Sequence, residues 1–170
     1  RVEVFPGARG RIPNFIGAEI AAQRLAETDA WRACFVICVG PDAAQKEVRL
    51  RALREGKLLI VPSPKLDEGR CFLRLDPEEI PGDQLARAAT LRGARRFGRK
   101  IAPRDVPLLD LAVFGSVAAN VMGQRLGKGC GLGDLVYALG REHRFVLEDS
   151  VVATTMHESQ LVDDPLPVTP

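Results

Sequence analysis

A glycine-rich run at residues 123–134 holds the side chains best suited to chemistry, and it ends where an apolar periodicity predicts a helix. Glycines leave backbone N–H groups free to face an anion, and the N-terminus of a helix adds partial positive charge. Arg125 and Lys128 add full positive charges, and the planar fork of an Arg can hold two phosphate oxygens. The run therefore predicts a phosphate-binding site formed by Arg125, Leu126, Gly127, Lys128, Gly129, Cys130, Gly131, Leu132, Gly133 and Asp134.

Asp134 would repel phosphates unless its carboxylate is neutralised. A Mg²⁺ ion that bridges this carboxylate to phosphate oxygens resolves the conflict, so Asp134 is the predicted metal ligand. The alternative is a flexible loop in which Asp134 caps the helix N-terminus. The run does not match the usual P-loop pattern, and its glycine count alone does not choose between the two interpretations.

The elements before this run alternate between strand and helix. Residues 18–27 show the spacing of a helical face, and residues 33–39 form a short apolar run typical of a buried strand. A helix predicted from Pro41 ends at Gly56, which supplies the left-handed residue common at helix ends, and a second buried strand follows at 58–61. A strand, helix and strand in this order predict a parallel pair with a right-handed crossover.

The later segments extend the same pattern. We predict a strand near a sheet edge at 71–75, a peripheral segment at 77–107, and the strongest central strand at 108–114. A short helix at 134–139 and strands at 145–147 and 151–155 complete a three-layer α/β/α architecture with a mostly parallel, open sheet. Gly115 and Ser116 follow the central strand, where open α/β sheets bind ligands, so we place them in the wall of the site.

Composition predicts one soluble domain over residues 1–170. The chain is 46% hydrophobic and 27% charged, and no apolar stretch approaches the roughly 20 residues of a membrane helix. The segment 1–17 is rich in Pro, Gly and Arg, which favours an extended arm. The abrupt beginning at Arg1 and end at Pro170 are consistent with incomplete termini.

The net charge and the cysteines indicate which binding partners are unfavoured and which cellular compartment is favoured. The net charge of +2 provides no global field for a nucleic acid, and a local basic run is typical of a solvated face. That run comprises Arg92, Arg95, Arg96, Arg99 and Lys100. The four cysteines lack the paired spacing of a zinc site and indicate buried free thiols. With no signal-peptide pattern, this favours a reducing cytoplasm.

The glycine-rich run resembles the signature of the 5-formyltetrahydrofolate cyclo-ligase family, R-L-G-x-G-G-G-Y-Y-D. Matching residues are Arg125, Leu126, Gly127, Gly129, Gly131 and Asp134. The likeness is closer to a divergent branch, the methenyltetrahydrofolate synthetase domain-containing proteins. Its motifs occur here at 11–15, 48–49, 64–66, 127–129 and 134–138, and at His157 with Gln160.

The resemblance implies a NagB/RpiA/CoA transferase-like fold and an enzyme that uses ATP and Mg²⁺. Its reaction closes 5-formyltetrahydrofolate to 5,10-methenyltetrahydrofolate and releases ADP and phosphate. Asp42 falls near the family carboxylate that contacts the formyl-bearing part of the folate, and Arg125 and Lys128 complete the implied catalytic set. We expect a monomer or a homodimer. The alternatives are a non-catalytic nucleotide- or folate-binding homologue and, less favoured, an RNA-associated protein.

Several residues admit a structural interpretation beside the functional one. Leu132 and Gly133 replace the two tyrosines of the signature, and Asp42 after Pro41 also suits a first helical turn. Arg11 is expected to anchor the arm by surface hydrogen bonds. His157 is expected to bond a neighbouring loop, and the aromatic rings at positions 15 and 114 belong to the core more often than to a folate site.

Overall fold

The computed structural model describes residues 2–3, 10–64 and 69–167 of the chain. Within these ranges the regular elements are strands, α-helices and single 3-10 turns. The strands are β1 (Val2–Glu3), β2 (Asn14–Phe15), β3 (Val36–Val39), β4 (Leu58–Pro62), β5 (Phe72–Leu75), β6 (Arg99–Ile101), β7 (Leu111–Phe114), β8 (Ala118–Ala119), β9 (Arg125–Leu126) and β10 (Val151–Thr154). The helices are α1 (Ala18–Ala26), α2 (Asp29–Ala33), α3 (Lys46–Arg54), α4 (Leu85–Ala88), α5 (Leu91–Phe97) and α6 (Leu132–His143). The 3-10 turns are Ala43–Gln45, Pro77–Glu79, Gly82–Gln84, Pro103–Asp105 and Glu158–Gln160.

One six-stranded sheet has the order β10-β7-β3-β4-β5-β6. The four strands from β10 to β4 are parallel to one another, whereas β5 and β6 are antiparallel to their neighbours. β7 lies between β10 and β3, so the prediction of an interior strand before Gly115 is confirmed, but the strand begins at Leu111 and not at Leu108. The sheet is mostly parallel, as predicted.

The two faces of the sheet bury separate apolar clusters, because successive side chains of a strand point to opposite faces. In β3, Ile37 and Val39 join the cluster under α1 to α5, whereas Cys38 joins the cluster under α6. β4 repeats this arrangement, with Leu59 and Val61 on one face and Ile60 on the other. Helices therefore cover both faces, which gives the predicted three-layer architecture.

The β3, α3 and β4 unit forms largely as predicted. Gly56 adopts a left-handed conformation with φ of 75° and ends the helical segment. The predicted start at Pro41 is wrong, because the 3-10 turn begins at Ala43 and α3 begins at Lys46. Asp42 has an extended backbone, so it is not part of a first helical turn.

The structure corrects or refines other predicted segments. Residues 145–147 are not a strand: Phe145 and Val146 are buried against the sheet in a loop after α6, and that packing explains their apolar character. The strand predicted near a sheet edge at 71–75 is β5, the second strand from the edge, and the unpredicted β6 pairs along its outer side. The peripheral segment 77–107 contains α4, α5 and β6, and the short helix α2 was not predicted.

The extended arm is described only in part. Within it, β1 pairs antiparallel with β2, and Phe15 is buried. The predicted arm residues 1 and 4–9, and residues 65–66 of one branch motif, lie outside the described residues. No helix within 10–64 and 69–167 combines the length and apolarity needed to cross a bilayer.

Candidate functional site

A small cavity lies where β3 and β7 end, beside the N-terminus of α6. Its volume is about 30 Å³. Most of the predicted phosphate-binding residues surround it, together with Asp42 from the loop after β3. The lining residues are Ile12, Asp42, Phe114, Gly115, Arg125, Gly127, Lys128, Cys130, Gly131, Leu132, Gly133 and Asp134.

A small hairpin fixes Arg125 at the edge of this cavity. β8 and β9 pair antiparallel, with Ala119 opposite Arg125. The Asn120 side chain shapes the turn between them, because its Oδ1 accepts from the N–H groups of Met122 and Gln124 at 3.1 and 3.0 Å. Sequence reasoning did not predict this hairpin, although Asn and Gly in its turn are typical turn residues.

The glycine-rich loop, residues 127–131, leads directly into α6. The helix begins at Leu132, and Gly131 stands at the N-cap with φ of 63°. Asp134 is therefore in the first helical turn, and the alternative that it serves as the N-cap is wrong. Within the described residues, no backbone carbonyl accepts from the N–H groups of positions 127–134. These amides are available to an anion at the helix N-terminus.

Arg125 lies between an aromatic ring and the start of α6. Its guanidinium carbon is 5.7 Å from the centre of the Phe114 ring, within the range of a cation–π interaction. Its Nη2 lies 2.9 Å from Asp134 Oδ1. A Cβ at position 133 would approach the Arg125 guanidinium carbon to 3.1 Å. Gly133, which replaces a tyrosine of the signature, thus leaves space for the Arg125 side chain.

Lys128 pairs with Asp42 across the mouth of the cavity. The Lys128 Nζ and Asp42 Oδ1 atoms are 2.6 Å apart. The two side chains are only 21% and 15% exposed, so the pair is shielded from much of the solvent. The structure therefore brings together two residues that the sequence analysis assigned to different substrates.

Arg49 holds the Asp42 loop from beneath, and sequence reasoning missed this role. Arg49 is 1% exposed, and its guanidinium donates to the backbone carbonyls of Gly40, Asp42 and Ala89. Burial lowers the pKa of Arg49 to about 10, and the charges of Asp42 and Glu47 act in the opposite direction. An Arg inside the apolar periodicity of α3 was the available sequence signal.

Gln45 is fully buried next to Gly115, behind the cavity lining, and it too was missed. Its Nε2 donates to the carbonyl and hydroxyl oxygens of Thr155, both at 3.2 Å, and so joins the ends of two elements. Its Oε1 is buried without a hydrogen-bond partner in the described structure. A Cβ at Gly115 would lie 2.6 Å from this oxygen, which explains the glycine after β7.

Not every predicted site residue faces the cavity. Ser116 is fully buried, and its hydroxyl pairs with Thr154 Oγ1 at 2.9 Å. Leu126 and Gly129 are also absent from the lining. Arg11 is exposed, and no hydrogen bond or ion pair joins it to another described residue. The anchoring role expected for Arg11 receives no support from these contacts.

His157 bonds its neighbouring turn, as expected. Its Nδ1 accepts from the backbone N–H of Ser159 at 3.1 Å, and its ring lies edge-on to Phe15 at 6.1 Å. Phe15 and Phe114 are each 5% exposed, as expected for core aromatic rings. Phe15 and His157 border a groove separate from the site, and Phe114 borders the site cavity. The packing of all three side chains is explained by the fold.

The four cysteines remain thiols and form no disulfide, in agreement with the sequence analysis. Three are buried, at positions 34, 38 and 71. Cys130 is exposed in the glycine-rich loop, so the expectation that it is buried is wrong. Its exposure follows from a loop with little side-chain packing of its own.

The donor set at the cavity fits a Mg²⁺-nucleotide in its chemistry. Amide groups and two cations suit phosphate oxygens, and Asp134 offers one carboxylate oxygen to a metal. Within the described residues, no three His, Cys, Asp or Glu side chains form a preassembled metal site. Mg²⁺ at a nucleotide takes most of its ligands from phosphate and water, so a single protein carboxylate is sufficient.

The sheet and its site together define an α/β protein in which the N-terminus of a helix, a feature that suits anions, lies at the carboxyl ends of parallel strands. The chain belongs to the 5-formyltetrahydrofolate cyclo-ligase family, whose model matches residues 8–170. The resemblance noted in the glycine-rich run is thereby confirmed.

The chain is also similar to methenyltetrahydrofolate synthase domain-containing proteins. The protein of Bos taurus is 38% identical over 155 residues, which cover 91% of this chain and 41% of that protein. The Homo sapiens protein is 37% identical over 91% of this chain and 40% of its own length. The Danio rerio protein is 36% identical over 91% of this chain and 41% of its own length. The chain spans about two-fifths of the length of these relatives.

Proposed function

We propose that this protein binds ATP with Mg²⁺ at the glycine-rich loop and closes 5-formyltetrahydrofolate to 5,10-methenyltetrahydrofolate. Membership of the cyclo-ligase family supports a folate-related ligase activity. The single observation that carries the proposal is the run 127–134, whose amides have no backbone acceptor among the described residues and which adjoins two cations and two carboxylates at one cavity. This set matches a triphosphate and a second, hydrogen-bonding substrate.

The reaction requires the formyl oxygen to attack the γ-phosphorus, with ADP as the leaving group. The neighbouring folate nitrogen then attacks the formyl carbon, the C–O bond breaks, and phosphate leaves as that nitrogen loses its proton. Phosphorylation converts a poor leaving group into a good one. The protein has mainly to align two substrates and to stabilise charge on the transferred group.

Each side chain has a role within this proposal. The amides of the loop, Arg125 and Lys128 bind phosphate oxygens, and Asp134 would hold Mg²⁺, which would supply positive charge beside the transferred phosphate. Asp42 accepts a hydrogen bond from an N–H group of the folate. Arg49 and Gln45 are positioning residues, because they hold the Asp42 loop and the end of β7.

Substrate binding requires the loop to move. A cavity of about 30 Å³ has space for one or two water molecules, whereas ligand clefts measure about 300–1,000 Å³. Gly129 and Gly131, with φ of 91° and 63°, give the loop the freedom to open. We therefore expect the segment 127–131 to change conformation when the nucleotide binds.

Isothermal titration and a turnover assay test the proposal. ATP with Mg²⁺ should bind, and 5-formyltetrahydrofolate should then give the absorbance of the methenyl product. Lys128→Ala should weaken ATP binding about tenfold through loss of a charge-assisted contact. Asp134→Asn should reduce the dependence of binding on Mg²⁺. Arg95→Ala, at an exposed position of α5, is the matched control and should bind as the unaltered protein does.

The outcomes separate two functions. A non-catalytic homologue is favoured by one specific feature, since Leu132 and Gly133 stand where the signature has tyrosines. Binding of ATP with Mg²⁺ without any methenyl absorbance would support that second candidate. Unchanged nucleotide affinity in both the Lys128 and the Asp134 variants would contradict the proposed site itself.

A further inference from the structure

The Lys128–Asp42 ion pair joins groups that belong to two different ligands in the proposed function. Its atoms are 2.6 Å apart, and both side chains are about four-fifths shielded from solvent. An anion at the loop amides needs the Lys128 ammonium, and a folate N–H group needs the Asp42 carboxylate. Neither ligand gains its contact in full while the pair persists.

Lys128 is the member of the pair able to move. It follows Gly127 and precedes Gly129, which has φ of 91°, and its charge sits at the end of a flexible stem. Asp42 is held in place, because Arg49 donates to its carbonyl at 3.1 Å and to that of Gly40. An anion at the loop therefore draws Lys128 away from a carboxylate that stays in position.

Arg125 does not act in the same way. A guanidinium has five donors, so Arg125 can keep its contact with Asp134 while it binds an anion. The Asp134 side chain is 81% exposed, so its carboxylate stays solvated, although the Arg125 side chain is only 21% exposed. We therefore expect a change of partner when an anion binds for Lys128 and not for Arg125.

We propose that Lys128 changes partner from Asp42 to the bound nucleotide, and that filling the glycine-rich loop thereby releases Asp42 to bind the folate. The proposal rests on the proposed function and adds an energetic coupling between its two subsites. By linkage, each ligand strengthens the binding of the other by the same factor, which we expect to be about tenfold.

Removal of Lys128 gives a result that distinguishes this exchange from simple electrostatics. Lys128→Met leaves Asp42 without its partner, so 5-formyltetrahydrofolate should bind more tightly in the absence of nucleotide. The affinity should approach that of the unaltered protein saturated with nucleotide. Loss of a positive charge beside an anionic folate would, on electrostatics alone, weaken binding.

The experiment measures the Kd of 5-formyltetrahydrofolate by titration calorimetry, with and without a non-hydrolysable ATP analogue and Mg²⁺. The unaltered protein should show a roughly tenfold gain on adding the analogue, and Lys128→Met should show the gain without it. Lys46→Met is the control, because Lys46 pairs with Glu47 at 3.2 Å outside the cavity lining. It should retain the nucleotide-dependent gain.

Failure of the proposed coupling and failure of the proposed function give different results. If the unaltered protein binds both ligands independently, and Lys128→Met binds folate no more tightly, the coupling is refuted while the proposed function stands. If the unaltered protein binds no nucleotide, the proposed function fails and the coupling fails with it. Thermal unfolding of each variant checks that the fold is retained, and Lys128→Gln provides a second variant with a smaller change in polarity.

Discussion

At the residue scale, the guanidinium of Arg125 occupies the space that a side chain at position 133 would need. Gly133→Ala would bring a Cβ to 3.1 Å from the Arg125 guanidinium carbon, and a flexible side-chain end moves more easily than a backbone. We predict that ATP binds about tenfold more weakly, through displacement of a charge-assisted contact. Stability should stay constant or rise by up to about 1 kcal/mol, because Ala favours helix over Gly. Calorimetric titration and thermal unfolding of the same sample measure both effects.

Gly140 provides the matched control in the same helix. A Cβ there would lie 2.7 Å from Val146 Cβ and 3.0 Å from a ring carbon of Phe145, and both side chains are buried. Gly140→Ala should therefore destabilise the protein by about 1–3 kcal/mol. A Gly133→Ala variant that loses stability while it binds ATP normally would contradict the assignment.

Arg49 gives a second prediction at this scale. Arg49→Met removes the donors for three backbone carbonyls, one of them in a residue of the site. Unsatisfied buried acceptors should lower the free energy of unfolding by about 3 kcal/mol in urea denaturation. Arg51→Met, which removes only an exposed ion pair with Glu55, should change it by less than about 1 kcal/mol. Equal losses in the two variants would show that the buried contacts contribute little.

At the scale of elements, apolar periodicity predicted the segments in which consecutive helices and strands pack against one another. β3, α3 and β4 were predicted because two apolar runs flank a helical pattern that ends at Gly56. β6 was missed because Arg99 and Lys100 give it no apolar alternation, as is common in edge strands. Residues 145–147 were predicted as a strand because burial alone, without strand pairing, requires the same apolar residues.

Lys57 helps to attach the short helix α2, beside the burial of Trp31 and its hydrogen bond to Glu55. Lys57 Nζ donates to the carbonyls of Trp31 and Cys34 at 2.9 and 2.6 Å, and it lies 5.2 Å from the centre of the Trp31 ring. Lys57→Met should lower the free energy of unfolding by about 2–3 kcal/mol, because two buried acceptors lose their donor. Arg32→Met, which affects only an exposed pair on the same helix, is the control for urea denaturation. Indistinguishable midpoints would contradict this role for Lys57.

At the scale of the whole molecule, buried thiols make stability sensitive to alkaline pH. Burial raises the pKa of Cys38 from 9.0 to about 12 and that of Cys34 to about 11. Above pH 9 the unfolded chain therefore releases protons that the folded chain retains. The free energy of unfolding should fall as pH rises from about 9 towards 12, by up to about 1.4 kcal/mol per pH unit for each thiol.

Urea unfolding between about pH 8 and pH 10.5 tests this linkage. Cys38→Ala should reduce the slope against pH, even though loss of the sulfur lowers the overall stability. Cys130→Ala, which alters an exposed thiol, should keep the slope of the unaltered protein. Parallel slopes in all three proteins would contradict a contribution from Cys38.

The sequence predicted several residues of the site, but it did not predict the contacts between them. Arg125, Lys128 and the glycines lie within one short segment, so a local pattern identified them. The ion pair of Lys128 joins positions 86 residues apart, and such a contact exists only after the parallel strands have brought their ends together. Arg49 and Gln45 also act through residues of other elements. An Arg within the apolar periodicity of α3 indicated a buried side chain, but no local pattern identified the partners of either residue.

The central claim is that the backbone amides of the glycine-rich loop bind a triphosphate. Titration of ¹⁵N-labelled protein with ATP and Mg²⁺, followed by amide NMR, tests it most directly. We predict saturable shifts for residues 127–134, with little change in β5 and β6 at the opposite side of the sheet. Shifts confined to other parts of the protein, or no saturable shift in the loop, would contradict the claim.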